Sequence, residues 1–283
     1  MMKRYMVILV LFVMFLSVSH AVNAQDSKQI ITKQITVSFP TYERAGTYTG
    51  EALNGIPNGN GTFTSANDDE IQWTYTGQWA DGAFNGEGST IWDDGWQTRG
   101  VYRQNVLVSG QTLDNGAVLY DGSFAWHSEE GIELYDGEGK LYNMLGRLIW
   151  TGQFSMGCLV ESEEARLQRS KELAPLCTWL SDTDYERIIQ NESDWIGRMV
   201  RLEGNVTYMW DEDWFGYGEF EVLLNHSDKR PLDVYYRYGV DEKRAVLDQN
   251  ITVLGTITGV YRYDDGTGHP YTAPLVEAEI ILH

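Results

Sequence analysis

The side chains able to do acid–base, nucleophilic or metal chemistry lie scattered along this chain. Its five histidines fall at positions 20, 127, 226, 269 and 283, with no His-x-x-x-His pair that would put two imidazoles on one helix face. No Gly-x-Ser-x-Gly turn presents a serine nucleophile, and no glycine loop has the spacing that cradles a phosphate. The clusters Asp68-Asp69-Glu70, Asp93-Asp94, Asp211-Glu212-Asp213 and Asp264-Asp265 invite a calcium reading, but none has the ligand spacing of an EF-hand, and acidic turns that keep a chain soluble explain them more simply. Carboxylate pairs are unavoidable among 41 acidic residues, so no glycosidase pair is assigned. Two cysteines, Cys158 and Cys177, exclude a disulfide-rich scaffold and a cysteine-based structural zinc site. They are read either as one disulfide or as two buried thiols. No catalytic, cofactor-binding or metal-binding residue emerges.

The chemistry that remains is aromatic. Tyr208, Trp210, Trp214, Phe215 and Tyr217 cluster in one stretch, and Tyr261, Tyr263 and Tyr271 in another. Such rings stack on sugars or on a peptide, although strand alternation sends about half of them to the core. The elements that position them follow from periodicity. Met199 to Trp210 alternates Val200, Leu202, Gly204, Val206 and Tyr208 on one side; Phe220 to Leu224, Leu232 to Tyr238, Ile251 to Tyr263 and Leu275 to Leu282 read as further strands. Asp241 to Gln249 reads as a short helix between the third and fourth. With Trp195-x-Gly197-x-x-Val200-x-Leu202-x-Gly204 entering the first strand, residues 195–283 resemble the OB-like domains of bacterial secreted proteins. OB barrels bind on the second and third strands, rimmed by the loops after the first and fourth, where these aromatics lie.

The N-terminal half repeats itself. Tyr48-Thr49-Gly50 and Tyr75-Thr76-Gly77 are each followed by a glycine five positions on, Gly55 and Gly82, then by Gly59-x-Gly61 and Gly86-x-Gly88. A period in this range marks one supersecondary unit copied along an axis. Gly100-Val101-Tyr102 opens a degenerate third copy in which Asn105 replaces the turn glycine and the Gly-x-Gly pair is lost. Tyr120-x-Gly122-x-Phe124 restarts the motif, its Gly137-x-Gly139 displaced by an insertion around His127 to Ile132; Trp150-x-Gly152-x-Phe154, with Gly157, opens a fifth copy. Each unit reads as a β-hairpin, with an aromatic of the neighbouring hairpin packed on the bare backbone of the second glycine pair.

The pattern Tyr-x-Gly-x-Trp-x-x-Gly-x-x-x-Gly-x-Gly, clearest from Tyr75 through Trp79 to Gly88, resembles the MORN repeat over residues 46–157. The resemblance implies a single-layer antiparallel array of hairpins and a scaffold, dimerisation or protein-interaction role; it carries no catalytic residues. A lipid-binding role has also been proposed for that family.

Lys3 and Arg4, an apolar run from Tyr5 to Val18 and Val22-Asn23-Ala24 read as a secretory leader over 1–24, cleaved after Ala24 or kept as an uncleaved N-terminal anchor, and either form places the protein outside the cytoplasm. Residues 25–45 lead into the array at 46–160. From Glu161 glycine disappears until Gly197, so 161–194 reads as a helical linker, with Tyr185, Ile188 and Ile189 as one apolar stripe, and with a protease-sensitive boundary between two independent domains. The expected fold is therefore mainly β: array, short helical linker and five-stranded OB-like barrel. Net charge is −20. From Gly46 to Gly157 four basic residues stand against fifteen acidic ones, and from Gly197 onward eight against fifteen. Both signs oppose nucleic acid and acidic membranes, leaving a protein partner or a cell-surface glycan bound at the barrel's aromatic rim.

Overall fold

A computed structural model describes residues 27–66, 72–214, 217–224, 230–263 and 271–283, with the side chains of 210–214, 217 and 263 excepted. The leader, Phe215, His226, His269, Asp68-Asp69-Glu70 and Asp264-Asp265 lie outside the described residues.

Eleven strands form one antiparallel meander in chain order: β1 (Lys28–Ser38), β2 (Glu43–Leu53), β3 (Ile56–Ser65), β4 (Trp73–Ala80), β5 (Ala83–Trp92), β6 (Trp96–Arg103), β7 (Val106–Asp114), β8 (Ala117–His127), β9 (Ile132–Tyr142), β10 (Leu148–Ser155) and the two-residue β11 (Cys158–Leu159). Five of the connections are two-residue turns with positive φ at both positions: Asn54-Gly55, Asp81-Gly82, Gln104-Asn105, Asn115-Gly116 and Met156-Gly157. Such type I′ turns match the twist of the strands they join. Asn105 serves in the third copy because asparagine tolerates the left-handed region. Its side chain does more than a glycine would: Oδ1 accepts from Phe84 N at 2.7 Å and Nδ2 donates to Ser38 O at 2.8 Å.

That bond to Ser38 belongs to a strong curl of the sheet. The β1–β2 connection reaches β8, where Phe39 stacks on Trp126 with ring centroids 6.2 Å apart, and Gly131 approaches Thr41. The insertion in the fourth copy therefore extends the β8–β9 hairpin to the point where the curl closes. One face of the array is an aromatic core including Tyr48, Phe63, Tyr75, Phe84, Tyr120 and Phe154.

The second sheet joins β12 (Thr178–Trp179) to β13 (Met199–Trp214), β14 (Tyr217–Leu224), β15 (Pro231–Arg237), β17 (Tyr271–Leu282) and β16 (Asn250–Tyr263), and β16 pairs back onto β13. The result is a closed five-stranded barrel with the one parallel pairing among them, β15 with β17, that gives an OB-like strand order. Its interior holds Leu202, Val206, Phe220, Val222, Val234 and Val253, the residues that alternation sends inward.

The helix expected at Asp241 to Gln249 is not there; the segment is irregular, with turns at Asp241 and at Leu247-Asp248. Tertiary bonds hold it in that form. Glu242 accepts from Gly239 N and from the Tyr236 hydroxyl, Ala245 N donates to the Tyr238 hydroxyl, and Asp248 sits at φ 63°, where a helix cannot continue.

The helices expected as a linker are α1 (Glu163–Leu173) and α2 (Asp182–Gln190), the latter opened by a Ser181–Asp184 capping box. They do more than connect. Leu180, Tyr185, Ile188 and Trp195 belong to the barrel's own core, so that core begins before Trp195. On α1, Arg166 and Arg169 donate to the carbonyls of Ile281 and Glu279 on β17. The array docks directly on the barrel as well: Leu159 N donates to Tyr238 O, Val240 N to Leu159 O, Met144 N to Glu277 and Arg237 to Gly157 O. Arg147 bridges to Glu279 and Thr256. A break confined to 161–194 would leave these contacts in place. Cys158 and Cys177 are both unpaired thiols.

Candidate functional site

Each residue of the repeat motif has an assignable structural task. In the three full copies the strand carrying the motif tyrosine has a register shift just after the glycine, at Gly50/Ala52, Gly77/Trp79 and Gly122/Phe124. Such a bulge removes a backbone carbonyl from the ladder, and a buried carbonyl needs a donor. The tyrosine three residues upstream supplies it: Tyr75 donates to Gln78 O and Tyr120 to Ser123 O, both at 2.9 Å, and Tyr48 to Glu51 O. Burial pushes the Tyr48 hydroxyl up to about 12 and those of Tyr75 and Tyr120 higher still, so all three remain neutral donors.

The two glycines of Gly-x-Gly do different work. Gly59, Gly86 and Gly137 hold φ of 110°, 109° and 96°, which a residue with a Cβ adopts only with strain. Gly61, Gly88 and Gly139 lie under the motif tyrosine, where a Cβ would come within 2.3 to 2.4 Å of the phenol. The covering ring comes from the same hairpin, correcting the expectation of a neighbouring one. It must, because the tyrosine's own bulge fixes how far its hydroxyl reaches. In the fifth copy Trp150 takes the tyrosine's place over Gly152, with the Arg169 guanidinium above it at 5.3 Å.

Register shows what the copies build together. Gly50, Gly61, Gly77, Gly88, Gly100, Gly110, Gly122, Gly139 and Gly152 pair in succession, an unbroken row across β2 to β10. The third copy, degenerate in sequence, keeps the row through Gly100 and Gly110. On the face away from the rings this row floors a shallow trough walled by Thr76, Glu87, Ser89, Arg99, Gln111 and Asp121. Cross-strand bonds stiffen the walls: Arg99 to Gln111 at 2.8 Å, Gln111 to Asp121 at 3.0 Å and Thr62 to Thr76 at 3.2 Å.

On the barrel, the structure separates the rim residues expected from the sequence. Tyr208 and Tyr261 are 53% and 42% exposed on the surface. Tyr271 is part-buried and its hydroxyl is shared between Glu221 and Asp233, at 2.8 and 2.9 Å. The side chains of Trp210, Trp214, Tyr217 and Tyr263, like Phe215, are outside the described residues. Sequence reading missed the two carboxylates. Glu221 and Asp233 face each other across β14 and β15, and the only hint was a charged residue between Leu232 and Val234.

Asp233 is 2% exposed, and burial, with Glu221 adding to it, pushes its carboxyl up to about 6; burial likewise raises Glu277, at the junction, to about 7. A carboxyl held above its unfolded value contributes stability that is fully present below the ordinary carboxylate range and is lost as pH rises through the folded value. Thermal melts should therefore fall between about pH 4 and pH 7, with Asp233 accounting for on the order of 1–3 kcal/mol. Asp233→Asn should flatten the fall; a profile of unchanged slope would show that Asp233 does not titrate there.

Among the described residues no group of three or more His, Cys, Asp or Glu is placed to hold a metal ion, and no helix is long and apolar enough to cross a membrane. A curled single-layer hairpin array docked on an OB-like barrel defines a mainly β repeat protein. The MORN repeat model matches residues 48–70 and 75–97, and the chain carries MORN repeats there. These repeats are in general non-catalytic and point to a protein-interaction or scaffold role. No curated protein matches the chain.

Proposed function

We propose that the protein is a non-enzymatic scaffold that acts outside the cytoplasm and holds a protein partner along the array. One observation carries this reading: the motif residues are engaged in the fold itself, tyrosines on carbonyls and glycines under rings, and they leave a long polar trough rather than a convergent reactive cluster. The leader sequence supports the location.

A glycan reading rests on the exposed rings of Tyr208 and Tyr261, which offer stacking faces on the barrel. Immobilised 25–283 chain, incubated with cell-surface extract separated into protein and glycan fractions, should retain a protein saturably; retention from the glycan fraction alone would replace the first reading by the second. Acidic phospholipid vesicles should not co-sediment with the chain at physiological salt, because its strongly negative net charge, −20 for the full sequence, gives the wrong sign. Robust co-sedimentation would revive a lipid role.

A further inference from the structure

We propose that the cleft between array and barrel receives a large apolar side chain of a partner polypeptide, with lysines or arginines flanking that side chain. This rests on reading the protein as an interaction module, and it names the place and the chemistry.

Strands β6 to β10 of the array and strands β15 and β17 of the barrel flank a cavity of about 420 Å3. That size falls within the range of pockets that bury a ligand group. Trp96, Leu119, Tyr142, Met144, Ile149 and Tyr235 supply aromatic and aliphatic parts of its walls. Met144 is 37% exposed.

The charged and hydroxyl groups on the remaining wall are engaged internally. Glu277 accepts from Met144 N at 2.9 Å, and Arg237 donates to Gly157 O at 2.9 Å while lying 4.9 Å over the Tyr135 ring. Tyr135 bonds Thr112, Tyr236 bonds Glu242, and Asp114 accepts from Asn115. An occupant therefore gains chiefly ring and aliphatic contact. A sugar, with hydroxyls on every side, would exchange its water for few partners; an apolar side chain loses nothing by entering.

Charge selects what surrounds that side chain. Asp114, Glu277 and Arg237 line the cleft, with Arg237 held on Gly157 O and over the Tyr135 ring, and both bodies that form the cleft are acidic, with four basic against fifteen acidic residues in the array and eight against fifteen in the barrel. A basic segment is steered toward this field and an acidic one is repelled.

The test is fluorescence anisotropy of labelled Lys-Lys-Trp-Lys-Lys, Lys-Lys-Ser-Lys-Lys and Glu-Glu-Trp-Glu-Glu peptides on the 25–283 chain. The tryptophan-containing basic peptide should bind roughly tenfold tighter than either control, and Met144→Trp, which fills the mouth from an exposed position, should weaken it by roughly tenfold. Trp96→Ala, which removes a wall, should weaken it similarly. Equal binding of the tryptophan and serine peptides overturns the apolar anchor, equal binding of the acidic peptide overturns the basic flanks, and binding unchanged by both substitutions overturns the location. A protein partner captured from extract and retained fully by Met144→Trp would refute the cleft while leaving the scaffold reading intact. Peptide binding at the cleft with no captured protein would do the reverse.

Discussion

Replacing Gly88 by valine is expected to destabilise the protein by about 3 kcal/mol, well beyond the same replacement at Gly95. A Cβ at Gly88 would stand 2.4 Å from the Tyr75 hydroxyl oxygen and 2.5 Å from its ring. The ring cannot retreat. Tyr75 is fully buried, stacked 3.8 Å on Phe84, and held by its bond to Gln78 O. At Gly95 the nearest atom is Oδ1 of Asn115, the far end of a side chain that can turn away. The remaining cost there is that of φ 94° with a side chain present, about 1 kcal/mol. Urea melts of the two variants give the order directly, and equal or greater loss at Gly95 would mean that the stacked glycine does not carry the array.

Arg147→Met should cost about 2 kcal/mol through the charge it abandons. Arg147 lies in the β9–β10 connection of the array and pairs with Glu279 on β17, whose side chain is 3% exposed, while also donating to Thr256 at 2.6 Å. Removing one member of a buried pair leaves the other ionised in a low-dielectric setting. Arg147 is itself 36% exposed, and solvent reaching the gap holds the loss below that of a fully buried pair. The double substitution Arg147→Met with Glu279→Leu should recover most of the loss, since two apolar side chains need no compensation. Melts in which the double variant is no more stable than the single one would place the cost elsewhere than in the stranded carboxylate.

The local signals in the sequence were sufficient where one residue type answers one backbone demand. Asn54-Gly55 and Asp81-Gly82 demand left-handed turns, and the period-two pattern from Val200 to Val206 demands a half-buried strand; both formed as read. Signals failed where a distant group decides. Nothing in Asp241 to Gln249 reveals that Tyr236 and Tyr238 hold it open. The apolar stripe of α2 was legible, but not that the barrel core is the surface it covers. The spacing of Gly100 and Gly110 breaks the motif, and only register shows that they continue its row. Of the candidate rim, Tyr208 and Tyr261 lie exposed, whereas Tyr271 is drawn to two carboxylates that sequence spacing does not bring together.

Hydrogen–deuterium exchange of the 25–283 chain, alone and with a protein captured from cell-surface extract, tests the scaffold reading most directly. Protection should appear on strands β4 to β8 along the trough and at the junction residues Trp96 and Met144. Protection restricted to the barrel around Tyr208 and Tyr261, with the array unchanged, would contradict it.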